Sequence, residues 1–209
     1  QVTSLSDSHP KGFGMLQRDG EWDNYLDAEA NYHLRPGLWV TPEAGFEKGR
    51  LEVVEIPTNS EIHDNIVAFW TPEKPFVSGE SLYFSYNLST VEQNPFVSEL
   101  ASVVRTRQGA AVLPGDEFED ASLNTTRQFS IDFSAPSGFS FNSDTTKLIV
   151  QASNGQVSKQ RMHPVADGAE IRATFFLKPK EKQTVDMRAY IEQDGKRISE
   201  VWNYVYQPQ

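Results

Sequence analysis

The chain has 209 residues, 19 basic and 29 acidic side chains, a formal net charge of −10 and 38% hydrophobic residues. The length suits one large β domain or two small ones, the composition is globular, and the acidic balance disfavours nucleic acid and anionic lipid while suiting a neutral ligand such as a sugar polymer. Cysteine is absent, which excludes disulfides, thiolate nucleophiles and cysteine-based zinc sites, and no apolar run approaches the roughly 20 residues of a membrane-spanning helix.

Residues 1–90 read as a loop-rich β region. The sequence opens on Gln1 and reads as processed or cut from something longer. A short helix is expected at Asp23–Asn31, then strands at Leu38–Thr41, Arg50–Ile56, Asn65–Thr71 and Ser81–Asn87. Long polar connections and the turns Arg35-Pro36-Gly37, Thr41-Pro42, Thr71-Pro72 and Lys74-Pro75 separate them. Four such strands make a poor closed core, so this region is expected to be a piece of a larger sheet, and its long loops are where function is expected. Residues 91–101, polar and containing Asn94-Pro95, read as a linker.

Residues 102–209 carry the clearest alternation: Phe129, Ile131 and Phe133, then Ile171, Ala173, Phe175 and Leu177, then Val185, Met187, Ala189 and Ile191. Trp202, Tyr204 and Tyr206 form an aromatic stripe. Each predicts a half-buried strand. Asn154-Gly155 and Asp194-Gly195 predict hairpin turns. The strand spacing is that of a β-sandwich, and the fold class is all-β.

One carboxylate stands out. If the run from Glu55 to Trp70 is extended through residues 62–66, Ile62, Asp64 and Ile66 share a face. A carboxyl group between apolar neighbours loses water and its pKa rises, which is how a general acid for glycoside chemistry is made. On spacing alone the competing reading is favoured, a turn Asp tying down the loop between two strands. Glu55 and Glu61 are nearby carboxylates, read as surface and loop. Tyr25, Tyr32, Trp39, Phe69 and Trp70 can stack on sugar rings or pack a core, and Trp22 and Tyr32 have the better chance of facing a cleft. Arg18 and Arg35 can donate to hydroxyls or pair with Asp19, Asp23, Asp27 and Glu29. The four histidines are scattered and Asp116–Asp120 lacks an EF-hand pattern, so no metal or other cofactor is expected. The nucleophile elbow of serine hydrolases and the phosphate-binding loop are both missing.

Several long motifs occur in order: Lys11-Gly-Phe-Gly-Met-Leu-Gln-Arg-Asp19, Asn24 through Pro42, Val54-Glu-Ile-Pro57, Glu61-Ile-His-Asp-Asn-Ile-Val-Ala-Phe-Trp-Thr-Pro72 and Ser199-Glu-Val-Trp-Asn-Tyr204. They resemble the G and D group of osmoregulated periplasmic glucan biosynthesis proteins. The resemblance implies the C-terminal part of a large galactose-mutarotase-like β-sandwich (residues 1–90), a linker (91–101) and an immunoglobulin-like β-sandwich (102–209). It implies a periplasmic protein acting on the β-1,2-glucan backbone as an inverting glycoside hydrolase when full length, with this part alone inactive. Asp64 would be the general acid and Tyr32 a cleft residue, with Arg35, Trp39 and Trp70 as further substrate-binding candidates. The base would lie in an N-terminal part absent from this sequence. The implied partners are β-1,2-glucan, that missing part, a membrane glucosyltransferase and a second copy, with no nucleic acid. The alternative is a non-catalytic glucan-binding or assembly protein.

Overall fold

The structure, a computed structural model, describes residues 2–60, 62–63, 65–92, 94–95, 99–112, 125–136 and 138–208. It is all-β and divides into two compact units, Gln1–Val97 and Ser98–Gln209.

The first unit holds β1 (Val2–Ser8), β2 (Phe13–Met15), β3 (Gly37–Ala44), β4 (Lys48–Glu55), β5 (Ile66–Pro72) and β6 (Ser85–Val91). They form two antiparallel sheets, β1-β4-β5 and β2-β3-β6. An aromatic cluster ties one sheet to the other. Phe46, in the β3–β4 turn, sits 5.8 Å from the Trp70 ring of β5, 5.6 Å from Phe84 and 6.3 Å from Tyr86 of β6, and Phe13 of β2 stacks on Trp70 at 6.3 Å. The glycines explain how the indoles fit. A side chain at Gly49 would run into the Trp70 ring, and one at Gly12 into the Trp39 ring, so each tryptophan lies against bare backbone.

Three expectations for this unit change. No helix forms at 23–31. The Asp27 carboxylate accepts the amide N–H of Glu29 at 2.8 Å and of Ala30 at 2.9 Å, and Asn31 takes a left-handed conformation. These local bonds compete with helix formation, leaving single 3-10 turns at Trp22–Asn24 and Tyr32–Leu34. The last strand starts at Ser85 rather than 81, where the Ser85 hydroxyl and the Asn87 amide reach the Glu43 carboxylate, both at 2.6 Å. Strands β1 and β2 went unanticipated. β1 is a mostly exposed edge strand with Ser4, Ser6, Asp7 and Ser8 among its seven residues, and β2 has three residues, so neither shows apolar alternation.

The second unit holds β7 (Val103–Ala110), β8 (Arg127–Ser134), β9 (Thr146–Ala152), β10 (Gln156–Val165), β11 (Glu170–Lys178), β12 (Val185–Gln193), β13 (Lys196–Arg197) and β14 (Trp202–Tyr206). One sheet runs β10-β11-β8-β7; in the other β12 pairs with β9, β13 and β14. Alternate residues of β8, β11 and β12 fill the space between the sheets with Leu148, Trp202, Tyr206 and Ala101. Phe129 is fully buried, stacked on Phe175 at 5.3 Å and met edge-on by Trp202 and Tyr206. Each such burial is worth about 1.5–3 kcal/mol.

Asp194-Gly195 makes the hairpin between β12 and β13, both residues at positive φ. Asn154-Gly155 does not. β9 pairs with β12 while β10 pairs with β11, so this turn carries the chain from one sheet to the other. The motif at 199–204 is a clasp. The buried Ser199 hydroxyl accepts the Ile191 N–H at 2.8 Å and donates to the Glu200 carbonyl, Glu200 accepts the Val103 N–H, and Trp202 Nε1 donates to Thr106 Oγ1 at 2.9 Å. Asp116–Asp120 lies outside the described residues.

Candidate functional site

The connection from β2 to β3 is the most organised irregular segment of the first unit. Asp19 is its hub. The Asp19 carboxylate accepts the Glu21 N–H at 3.1 Å and the Asn24 amide at 3.0–3.1 Å, while its carbonyl accepts the Tyr25 hydroxyl at 2.6 Å and the Gln17 amide at 3.0 Å. Gln17 also donates to the Tyr32 carbonyl, bridging two points 15 residues apart. Asp27 fixes the middle of the loop as described above. The N–H groups of Ala30 and Glu29, helped by the Arg35 charge, hold its carboxyl below the usual Asp range.

On this frame stand the side chains of interest. Tyr25 stacks on Tyr32 at 6.1 Å and 24°, and the Arg35 guanidinium carbon sits 4.2 Å over the Tyr32 ring. That is cation–π distance. Trp22 meets His33 edge-on at 4.9 Å. The His33 Nδ1 is buried and has no hydrogen-bond partner among the described residues. A buried ring nitrogen without a partner is costly, and a ligand hydroxyl would relieve it. Leu26 is fully exposed and Leu34 is 69% exposed at the rim of the same loop. The arrangement presents phenol, guanidinium and indole groups already ordered, so a ligand meeting them loses little further freedom.

The structure thus brings Tyr32 and Arg35 into contact. It places Trp39 on β3 against Gly12, and Trp70 on β5 within the aromatic cluster. Asp64 and Glu61 lie outside the described residues. Around them the β4–β5 connection folds on Thr58, whose hydroxyl accepts the Ser60 N–H at 3.1 Å and sits 3.1 Å from His63 Nδ1. Ile56 N–H donates to the Asn65 carbonyl at 2.7 Å just before β5 begins. The extended reading of 62–66 fails at its first residue. Ile62 is in a turn and 87% exposed, and Ile66 is 52% exposed.

Asp19, Gln17, Asp27 and His33 went unrecognised as parts of this site. Asp19 and Asp27 are expected only as possible partners of Arg18 and Arg35, whereas their carboxylates also accept the N–H groups of Glu21, Glu29 and Ala30 and the Asn24 amide. The spacing of Asp27 to Glu29 and Ala30 is that of an Asx turn, and it was the available signal. Among the described residues no group of three or more His, Asp or Glu side chains is placed to hold a metal.

The family model described as periplasmic glucan biosynthesis protein, MdoG, matches residues 1–206. Glucans biosynthesis protein D 2 of Ralstonia nicotianae is 36% identical over 215 residues, covering 99% of this chain and 38% of its own length. Probable glucans biosynthesis protein D of Shewanella oneidensis is 37% identical over 211 residues, with 100% and 38% covered. Glucans biosynthesis protein G of Shewanella putrefaciens is 34% identical over 204 residues, with 98% and 36% covered. The chain therefore spans a little over a third of the length of these curated relatives.

Proposed function

The chain belongs to the periplasmic glucan biosynthesis family, and from that premise we propose that it takes part in making periplasmic glucans, with its first unit forming one wall of a groove for a β-1,2-glucan chain. The observation that carries this reading is the ordered β2–β3 loop. It gathers Tyr25, Tyr32, Arg35, Trp22 and a buried His33 nitrogen with no partner among the described residues, the mix of aromatic faces and fixed donors that suits a neutral sugar. The long relatives supply the reason to look for the opposite wall outside this chain. Part of one face of β2-β3-β6 supports it: beyond Phe13 and Tyr86, which pack into the aromatic cluster, Met15, Leu38 and Leu88 share that face by register and are 43%, 46% and 60% exposed. Such a face suits one layer of a larger sandwich.

In the catalytic form of the reading, Asp64 is the general acid. It gives its proton to the oxygen of the scissile bond while water, activated by a base elsewhere in the whole protein, attacks the anomeric carbon from the opposite face. Carboxyl groups in inverting enzymes stand roughly 6.5–9.5 Å apart to leave room for that water. The second reading, a glucan-binding or assembly protein working with a membrane glucosyltransferase, is favoured by the β2–β3 loop itself, whose carboxylates Asp19 and Asp27 accept bonds from loop N–H and amide groups while its aromatic faces and Arg35 suit binding.

Asp64→Asn in the full-length protein, incubated with linear β-1,2-glucan, separates the two. The catalytic reading expects cleavage to fall by about 10²–10⁴ with glucan binding retained. Full-length parent protein that binds the polymer without shortening it selects the assembly reading, and a variant that cleaves normally removes Asp64 from the chemistry.

A further inference from the structure

β7 is the outer strand of the sheet β10-β11-β8-β7, and no strand pairs with its far edge among the described residues. Its register on β8 places Arg105 opposite Asp132 and Arg107 opposite Ser130. Both point away from the core, while Thr106 and Gln108 point inward, to Trp202 and to the Tyr204 hydroxyl. Register puts Arg161, Arg172 and Lys178 on the same outward face, where the only described carboxylates are Asp132 and Glu170. The face is basic in a chain whose formal charge is −10.

Its acids are already committed. Asp132 is fully buried; its Oδ1 accepts Arg172 Nε at 2.7 Å, and its Oδ2 accepts Arg172 Nη2 at 2.9 Å and Arg107 Nη1 at 3.4 Å, with Arg105 Nη1 at 3.7 Å. Glu170 takes Arg105 Nη2 at 3.4 Å. Arg105 and Arg107 stay 42% and 61% exposed, and each keeps most of its five N–H donors for solvent.

An edge that no described strand pairs with is a template for another strand. A second copy of β7 would bring arginine against arginine, which is repulsive. A strand with carboxylates at alternate positions would lie about 4.7–4.9 Å away, within reach of both guanidinium forks. We propose that the β7 edge docks an extended acidic segment of another polypeptide, which adds as a fifth strand and sets alternate carboxylates against Arg105 and Arg107. An anionic lipid surface fits less well. It is an extended plane that the chain's overall acidity repels, whereas a strand engages this edge alone, within a Debye length of about 8 Å.

A dye-labelled alternating Glu-Thr octapeptide, titrated against the whole chain at low salt and followed by anisotropy, tests the proposal. Binding is expected to weaken about tenfold or more in the double variant Arg105→Gln, Arg107→Gln, whose cooperative unfolding transition, lowered by the lost Asp132 contacts, shows that it still folds. N-methylation of one alternate set of peptide amides should abolish binding and the other set should be tolerated, while a Lys-Thr peptide stays unbound. Equal binding by the double variant, or indifference to both methylation patterns, would overturn strand addition. Capture of the chain by phosphatidylglycerol vesicles through the same arginines, with the peptide unbound, would overturn it in favour of a lipid surface.

Discussion

The two units solve burial differently. In the second, Phe129, Ile131, Phe133, Ile171, Phe175, Met187 and Ile191 are each 0–1% exposed, whereas in the first Phe46 alone among the described hydrophobic residues counts as buried, at 8%. The second unit closes its own sandwich; the first spends its aromatic residues on a small cluster and on a loop. Stability and ligand chemistry are therefore expected to reside in different halves of the chain. Loops positioned by a scaffold carry function because their side chains are free of packing duties.

The largest effect that would break this comparison is a core truncation. Phe175→Ala should destabilise the second unit by about 3–5 kcal/mol in denaturant unfolding, and Phe46→Ala the first by only about 2 kcal/mol, since a thin cluster relaxes. Equal losses would mean that the first unit has a closed core after all. Next comes Asp132→Asn. It leaves Arg172 without its bidentate partner and should cost the second unit about 1–3 kcal/mol, discounted because the arginines are partly exposed.

The same group gives the second unit its acid sensitivity. Arg172, then the charges of Arg105 and Arg107, hold the Asp132 carboxyl below its usual range against the opposing effect of burial. A depressed folded value means stabilisation that is complete above the unfolded Asp value of about 3.9 and is lost as pH falls toward the folded value. Acid titration of tryptophan fluorescence should show this loss in the parent and a flatter profile in Asp132→Asn. The smallest effect belongs to Asp27→Ala. It should leave both unfolding midpoints unchanged while the amide protons of Glu29 and Ala30 exchange faster. A shifted midpoint would mean that the loop helps to hold the first unit together.

How much of this was legible in the sequence follows the same divide. Strands β8, β11, β12 and β14 announced themselves because both sheets bury one face, so Phe129, Ile171, Val185 and Trp202 each start an apolar alternation. The edge strand β1 gave no such signal, as its Ser4 and Ser6 illustrate. The turn at Asn154-Gly155 was read as a hairpin because local chemistry specifies a reversal, not the sheet to which the chain returns. In the site, Tyr32 and Arg35 were named and found in contact, but the acids that hold them were invisible as organisers. Asp19 and Asp27 act on backbone N–H and amide groups, partners that composition does not display.

Hydrogen exchange on the full-length protein with and without linear β-1,2-glucan tests most directly whether glucan handling belongs to the first unit. The account predicts slowed exchange across the β2–β3 loop, residues 17–36, and the β4–β5 connection, with residues 98–209 unchanged. Protection confined to the second unit would contradict it.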